Sequence, residues 1–530
     1  MSLAEVGPRG SFRSRIEPDV LLLLSRVSTV LTEQGIETYI VGGLVRDMVL
    51  GRGIVDIDLA VGSDALEVAA MVATALGGKY VLLDKENGVG RVVLTGSEAL
   101  SSKVPGVLDF SPFEDSIEQD LARRDFTIDA MAIELGQMVT HPDLRLPTIS
   151  KKAGSVPPRP SAVIDPFGGW GDLHRGVIRA VSETVFASDA VRLLRAVRLA
   201  AELGFTIERK TESLIRRYAP LIAGVAGERV REELLRLLAI AGGQLLDYLD
   251  ESSLLTGVFP ELVATRGVEQ PKEHCWDVFE HSLKTVSAVD FLLRQGDWEY
   301  GGGEVLAAVP WSAVMAEHFD QEVSRGSHRR ALLKLAALLH DVAKPQAKAF
   351  DAGGRMRFLG HAQEGATMVA DMLTRLRFSV REVKLVAALV RHHLRPTQMS
   401  QAELPTRRAI YRFFRDTEEA GIDILFLSLA DHLATRGPNL NLAHWREHAR
   451  VVGYVLTQRF QEESIAHPPK LIDGHDIINL SGLNPGPKIG EILEVVREAQ
   501  ASGEVATRPE ALSLIKRLLN SNHSLKVEKR

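Results

Sequence analysis

One cysteine, Cys275, stands in 530 residues. A single thiol excludes an intramolecular disulfide and fits a reducing compartment, so a cytoplasmic location is expected. Long apolar runs are also missing. The most apolar stretches, such as residues 331–339, are short and interrupted by charge, so no membrane span is expected. The N-terminus carries arginines but no apolar region ahead of a cleavage site, so no export signal is expected either. An excess of either charge is missing too, since 63 Lys and Arg nearly balance 69 Asp and Glu for a formal net of -6. That total alone gives no reason to expect a nucleic-acid partner, and local clusters must carry any such reading. No internal repeat is evident.

The chain does have apolar content, 45% of its residues, over a length too great for one ordinary core. Several domains are therefore expected. Residues 1–16 are rich in Gly, Ser and Arg. Residues 17–146 alternate helical and strand patterns, with strand candidates at 39–41, 55–61, 79–83, 91–94 and 107–110, which predicts an α/β head. A Pro-rich stretch at 147–160 interrupts that pattern, and beyond it strand signals almost vanish. The remainder predicts an all-α arrangement: a neck at residues 161–266, a second module at 273–435 and a helical tail at 436–530.

The run from residue 40 to 59, IVGGLVRDMVLGRGIVDIDL, carries the densest chemistry. Gly42 and Gly43 let backbone approach a phosphate with no Cβ in the way, and Arg46 follows in the first turn of a helix. On the next strand Asp56 and Asp58 project from one face while Ile57 and Leu59 enter the core. Two carboxylates on one face suit Mg²⁺, which prefers oxygen ligands and is often shared between protein carboxylates and substrate phosphates. Asp109, in VLDF, is a candidate third carboxylate.

Further on, residues 121–133 read LARRDFTIDAMAI and residues 188–205 read SDAVRLLRAVRLAAELGF. Asp189, Arg192, Arg195 and Arg198 lie three residues apart, a ribbon along one helix face, with Val191, Leu194, Val197 and Leu199 on the buried side. Alone, such a helix is usually a solvated basic face. A carboxylate beside a guanidinium, however, can accept from the exocyclic amine of cytosine or adenine while the guanidinium donates to the neighbouring ring nitrogen. Uracil and guanine present the opposite pattern and would be rejected.

The combination GG-x-V-R-D, L-G-R, D-x-D, R-R-D-F-T and D-x-x-R-x-x-R-x-x-R resembles the polymerase-β-like nucleotidyltransferases. More narrowly, it resembles the class II tRNA nucleotidyltransferases, the CCA-adding enzymes and their bacterial poly(A) polymerase relatives. The resemblance implies template-independent addition of C and A to the tRNA 3′ end from CTP and ATP. It places Asp56 and Asp58 as catalytic Mg²⁺ ligands, and Gly43, Arg46, Arg124, Asp189, Arg192, Arg195 and Arg198 around the nucleotide. An RNA surface is expected between residues 175 and 236, where Arg209, Lys210, Arg216, Arg217, Arg229 and Arg231 cluster.

His281, His340, Asp341, His361, His392, His393 and Asp431 follow the order H…HD…H…H…D over a helical segment. Imidazoles and carboxylates on separate helices can converge on one or two divalent metals, with Asp341 placed to bridge them. HDVAKP, GHAQEGA and LVRHHLRP resemble an HD phosphohydrolase domain, which implies phosphatase or phosphodiesterase activity on 2′,3′-cyclic and 2′-phosphate ends. The choice between His392 and His393 is open.

The tail run SGLNPGPKIG reads as a Gly-Pro turn between helices, and resembles the C-terminal extension of bacterial CCA- and A-adding enzymes. One region departs from the family pattern. Between the strand ending near Phe110 and DLARRDF, many CCA-adding enzymes carry a longer flexible loop, whereas this chain has SPFEDSIEQ. CC-adding or A-adding specialisation, poly(A) polymerase activity and a catalytically silent RNA-binding protein of the same fold stand as alternatives.

Overall fold

The computed structural model describes residues 18–54, 56–94, 106–140, 156–240, 243–399, 404–461 and 470–527. The chain divides into two compact units, residues 1–225 with 248–258, and residues 226–247 with 259–530.

The first unit opens with helix Pro18–Glu33, whose Val20, Leu23, Leu24, Val27 and Leu31 recur at three- and four-residue steps and are buried. A seven-stranded mixed sheet follows: β1 Thr38–Val41, β2 Ile57–Val61, β3 Lys79–Asp84, β4 Val89–Val93, β5 Val107–Pro112, β6 Ala132–Glu134 and β7 Val163–Ile164. Its order is β3-β4-β5-β2-β1-β6-β7. β2 and β5 run parallel, and the remaining neighbours antiparallel. The link from β2 towards β5 includes helix Ala65–Leu76, started by the Asp64 carboxylate accepting from the Leu66 and Glu67 amides and ended by left-handed Gly77.

The expected strand over 55–61 starts at Ile57, so Asp56 precedes it and is exposed; Val55 lies outside the described residues. Ile57, Leu59, Ala60 and Val61 are all buried, which leaves Asp58 as the one polar side chain of β2.

The second unit is built on helices. Helix Arg329–Leu339 is buried at all positions but Arg330 and packs against helices Val278–Leu292, Val380–His392 and Gly421–Arg436. A capping box starts Val380–His392, with Ser379 and Glu382 each accepting from the other's backbone amide. Residues 470–527 contribute helices Gly474–Ser481, Pro487–Ala501 and Arg508–Val527 around Ile477, Ile489, Val496 and Ile515.

Strands were expected almost to vanish after the head, yet β7 returns from the expected neck to pair with β6, and three further small pairings occur: Val177–Ile178 with Thr206–Ile207, Glu322–Ser324 with Ser327–His328, and Lys348–Phe350 with Met356–Phe358. Two or three residues are too few for an alternating pattern to show in sequence. Among the described residues, no helix is long and apolar enough to cross a membrane.

Candidate active site and candidate metal centre

In the head, three neighbouring strands set one polar row. Asp58 on β2 stands opposite Asp109 on β5, and Asp109 stands opposite Arg91 on β4. Arg91 grips Asp109 with two hydrogen bonds, Nε to Oδ1 at 2.7 Å and Nη2 to Oδ2 at 2.6 Å. Asp58 has no such fork. Burial pushes its carboxyl up to about 6, with Asp109 and Asp56 pushing the same way against Arg124 and Arg91. A half-buried carboxylate crowded by two others fits a divalent cation, which would relieve the repulsion and supply the missing charge.

Gly42 is left-handed (φ 69°) just ahead of helix Gly43–Leu50. A Cβ there would stand 3.1 Å from Arg124 Nη1 and 3.7 Å from Asp58 Oδ2, so glycine keeps the backbone beside both groups. Arg124 is held by Asp120 through Nε at 3.2 Å and Nη2 at 2.9 Å.

Arg46 corrects an expectation. Rather than facing the pocket as an open guanidinium, it is buried and spans Asp129 (Nη1 to Oδ1, 2.7 Å) and Asp47 (Nε to Oδ1, 3.0 Å). It braces the helix start against the segment Thr127–Asp129. Asp129 was not singled out from sequence, where nothing local pairs residues 83 positions apart.

Asp189 sits in extended backbone three residues before the start of helix Arg192–Leu203, with Oδ2 at 3.7 Å from Arg192 Nε. Acceptor and donor thus lie side by side. Arg192 Nη2 donates to the Arg123 carbonyl at 3.0 Å, one residue from Arg124, which reaches Gly42 and Asp58. The base-reading candidates and the carboxylate row are therefore linked by a short path. Arg195 pairs with Asp125 at 3.1 Å.

Arg198 departs from the expected ribbon. It is buried and bonds Glu202 at 2.7 Å, which also accepts from Arg52 at 2.9 Å. Asp189 lies off the helix, so only Arg192, Arg195 and Arg198 form the row, and three-residue steps fall short of a 3.6-residue turn, so that by Arg198 the row has rotated into the core. In the basic cluster, Arg209, Arg216, Arg217 and Arg229 are exposed and Lys210 meets Glu183 at 2.5 Å. Arg231 instead reaches the fully buried Glu382 at 2.5 Å.

In the second unit, the end of helix Arg329–Leu339 delivers His340 and Asp341 among three other helices. Asp341 divides its oxygens: Oδ2 lies 3.1 Å from His340 Nε2 and 3.6 Å from His281 Nε2, and Oδ1 lies 3.3 Å from His361 Nε2 and 3.8 Å from His393 Nε2. Asp431 Oδ1 is 3.1 Å from His281 Nε2. Two groups result that could each hold a metal ion, His281–His340–Asp341 and Asp341–His361–His393.

The surroundings prepare these imidazoles. Nδ1 of His340, His361 and His393 lies 2.8, 2.6 and 2.7 Å from the carbonyls of Ala337, Phe358 and Val390. A proton on Nδ1 leaves each Nε2 lone pair facing Asp341, the tautomer a metal requires. Burial holds His393 down to about 3 and lowers His281 as well, whereas at His340 the carboxylates of Asp341 and Asp431 outweigh burial and raise it, so a metal there would displace a proton.

His392 is half-buried, is in neither group, and has Arg391, Arg395 and Asp416 for charged neighbours. The structure thus brings His393 to the cluster and leaves His392 outside. It also adds residues that sequence did not single out: Lys344, with Nζ at 2.6 Å from Asp341 Oδ2, and Gln270, which accepts from the same Nζ at 2.6 Å. The HDVAKP run held the signal for Lys344, at the fourth position of a turn.

The head and its carboxylate row define a protein of the nucleotidyltransferase class: residues 38–179 match the family described as Poly A polymerase head domain. Residues 204–265 match a probable RNA and SrmB-binding site of polymerase A, and residues 306–436 match the HD domain. The A-adding tRNA nucleotidyltransferase of Deinococcus radiodurans is 34% identical over 487 residues, 90% of this chain and 94% of that protein. The CC-adding tRNA nucleotidyltransferase of Thermus thermophilus is 34% identical over 490 residues, 90% of this chain and 93% of that protein. The solved Thermotoga maritima CCA-adding enzyme complexed with tRNA shares the fold, with a TM-score of 0.57 at 22% identity over 95% of this chain and 97% of that one. The chain belongs to the tRNA nucleotidyltransferase family, whose membership implies use of a divalent metal ion.

Proposed function

We propose that this chain adds C or A nucleotides to the 3′ end of tRNA without a template, drawing on CTP or ATP with Mg²⁺, in the cytoplasm. The carrying observation is the in-register pair Asp58 and Asp109, with Asp56 beside it, joined through Arg124, Arg123 and Arg192 to Asp189. Asp56 and Asp58, with Asp109 adjoining, would hold the Mg²⁺, which supplies charge for the triphosphate and acidifies the attacking hydroxyl. The tRNA 3′-oxygen bonds to the α-phosphorus, the bond from that phosphorus to the bridging oxygen breaks, pyrophosphate leaves, and the hydroxyl proton passes to solvent. Arg124 and the backbone at Gly43 steady the phosphates; Arg46 and Arg198 act behind them, as braces. Asp189 and Arg192 select cytosine and adenine by the hydrogen-bond pattern of their edges.

Partial addition is favoured over complete CCA addition by two observations. Relatives matched along nine-tenths of this chain include A-adding and CC-adding enzymes, and only a short connection separates β5 from helix Ile117–Ala122. Incubating the protein and Mg²⁺ with tRNA ending at the discriminator base, at C and at CC, followed by 3′-end sequencing, decides. Stopping at CC, or adding only A to the CC substrate, supports the partial reading. CCA from the shortest substrate overturns it in favour of the complete reaction, long A tails indicate a poly(A) polymerase, and no addition leaves a silent binder.

A second activity is favoured by the shared carboxylate of Asp341. Two imidazole pairs, one at each of its oxygens, form a centre for two divalent ions, which would supply a bound hydroxide and a clamp on a phosphate. Hydrolysis of a phosphate at an RNA or nucleotide terminus is the reading this supports. Release of phosphate or ring-opened product from 2′,3′-cyclic nucleotides, lost in Asp341→Asn, tests it.

A further inference from the structure

The small hairpin Lys348–Phe350 with Met356–Phe358 is tied directly to the metal centre. The Phe358 carbonyl lies 2.6 Å from His361 Nδ1, and its ring lies 5.5 Å from Lys344 Nζ, itself 2.6 Å from Asp341 Oδ2. Lys348 pairs with Phe358, Ala349 with Arg357, and Phe350 with Met356. Directly opposed residues share a face and alternate residues return to it, so Lys348, Phe350, Met356 and Phe358 form one face and Ala349 and Arg357 the other. The first face is the one Phe358 turns towards the centre.

At about 3.4 Å per residue, Phe350 stands roughly 7 Å along the strand from the level of Phe358. It is 63% exposed, and Leu359, just before His361, is 83% exposed. A single exposed aromatic needs no explanation. This one extends, in the same row, from a cluster whose two groups could each hold a metal ion, beside the ammonium of Lys344. A ligand matched to both ends carries an anionic phosphate and a flat apolar face, which together describe a nucleotide.

We infer that this face is the nucleobase platform of the metal centre: a terminal nucleotide places its phosphate at the histidine–aspartate cluster and Lys344 and stacks its base on Phe350. The inference rests on the phosphohydrolase reading of that centre and adds to it the subsite that holds the base. Stacking is tolerant of base identity, so this platform accepts all four bases, unlike the selective pair Asp189 and Arg192. In the reaction it serves, a water oxygen bonds to the phosphorus of a 2′,3′-cyclic phosphate. One ring P–O bond then breaks, and the ribose oxygen takes the proton.

The test uses the full chain loaded with Mn²⁺ and two substrates, cytidine 2′,3′-cyclic phosphate and the base-free methyl riboside 2′,3′-cyclic phosphate. Phe350→Ala is expected to raise KM for the cytidine substrate about tenfold with kcat within about twofold, to leave the base-free substrate unchanged, and Phe350→Tyr to restore the KM. Equal effects on both substrates, or none, overturn the platform while hydrolysis itself upholds the centre. If neither substrate is hydrolysed, the phosphohydrolase reading fails. The platform is then read by calorimetry with cytidine 2′-phosphate and its base-free analogue in chains carrying Asp189→Ala. Tighter binding of the cytidine compound that Phe350→Ala removes supports it, and equal binding of the two overturns it.

Discussion

Asp58 and Asp109 occupy facing positions on the parallel strands β2 and β5, and Arg91 forks only onto Asp109. One acid of the row is therefore held by a guanidinium fork and the other is not. Burial first, then the carboxylates of Asp109 and Asp56, push Asp58 up to about 6. The sign has two consequences. Because the folded value exceeds the unfolded one, near 4, ionising Asp58 weakens the metal-free fold as pH climbs through that window. Below pH 6 a metal ion must also displace a proton.

We therefore expect the Mg²⁺ concentration giving half-maximal nucleotide addition to be level above about pH 6.5. It should rise roughly tenfold per pH unit below 6. Titrating Mg²⁺ at saturating CTP or ATP between pH 5 and 8 measures this, and a level profile throughout would sink the assignment. Asp58→Asn should raise the melting temperature of the metal-free protein at pH 7.5 while abolishing addition.

Arg46 provides a test of brace against phosphate ligand. Removing it leaves Asp129 buried without its partner, so Arg46→Ala should cost about 3–5 kcal/mol in urea unfolding. Asp129→Asn removes the stranded charge, and the double variant should regain much of that loss. A double variant no more stable than Arg46→Ala would show that the pair does not carry the effect.

For base selection, Asp189→Ala should reduce the preference for CTP over UTP by about 10- to 100-fold in kcat/KM, because the carboxylate that repels the uracil carbonyl is gone. The change should appear in the ratio of the two nucleotides. An equal loss for both would assign Asp189 to structure instead.

Legibility followed chain locality. The strands at 39–41, 79–83, 91–94 and 107–110 and the inward alternation of Ile57 and Leu59 around Asp58 are readable because such signals act over a few residues, whereas Asp56 precedes its expected strand and Asp189 precedes its expected helix. What side chains do with distant partners is not readable that way. Arg46 and Arg198 look like phosphate ligands until Asp129 and Glu202 meet them, and Arg231 looks like part of an RNA surface until Glu382 does. His392 and His393 are adjacent, and a helix turns about 100° per residue, so only the rotation of helix Val380–His392 decides which one faces Asp341.

That rotation gives the most discriminating prediction for the metal centre. His393 Nε2 lies 3.8 Å from Asp341 Oδ1, whereas His392 lies among Arg391, Arg395 and Asp416. Metal analysis of the Mn²⁺-loaded protein after gel filtration should give two ions per chain. His393→Ala should leave about one, since the His281–His340–Asp341 group is untouched, and His392→Ala should leave two. Asp341→Asn weakens both positions and should leave fewer than one, because its oxygens serve both groups. In all three variants nucleotide addition should stay within about twofold of the parent, since none of these side chains belongs to the unit that carries Asp58 and Asp189. If His392→Ala lost an ion and His393→Ala did not, helix Val380–His392 would present the opposite face to Asp341, and the shared-carboxylate arrangement would have to be abandoned.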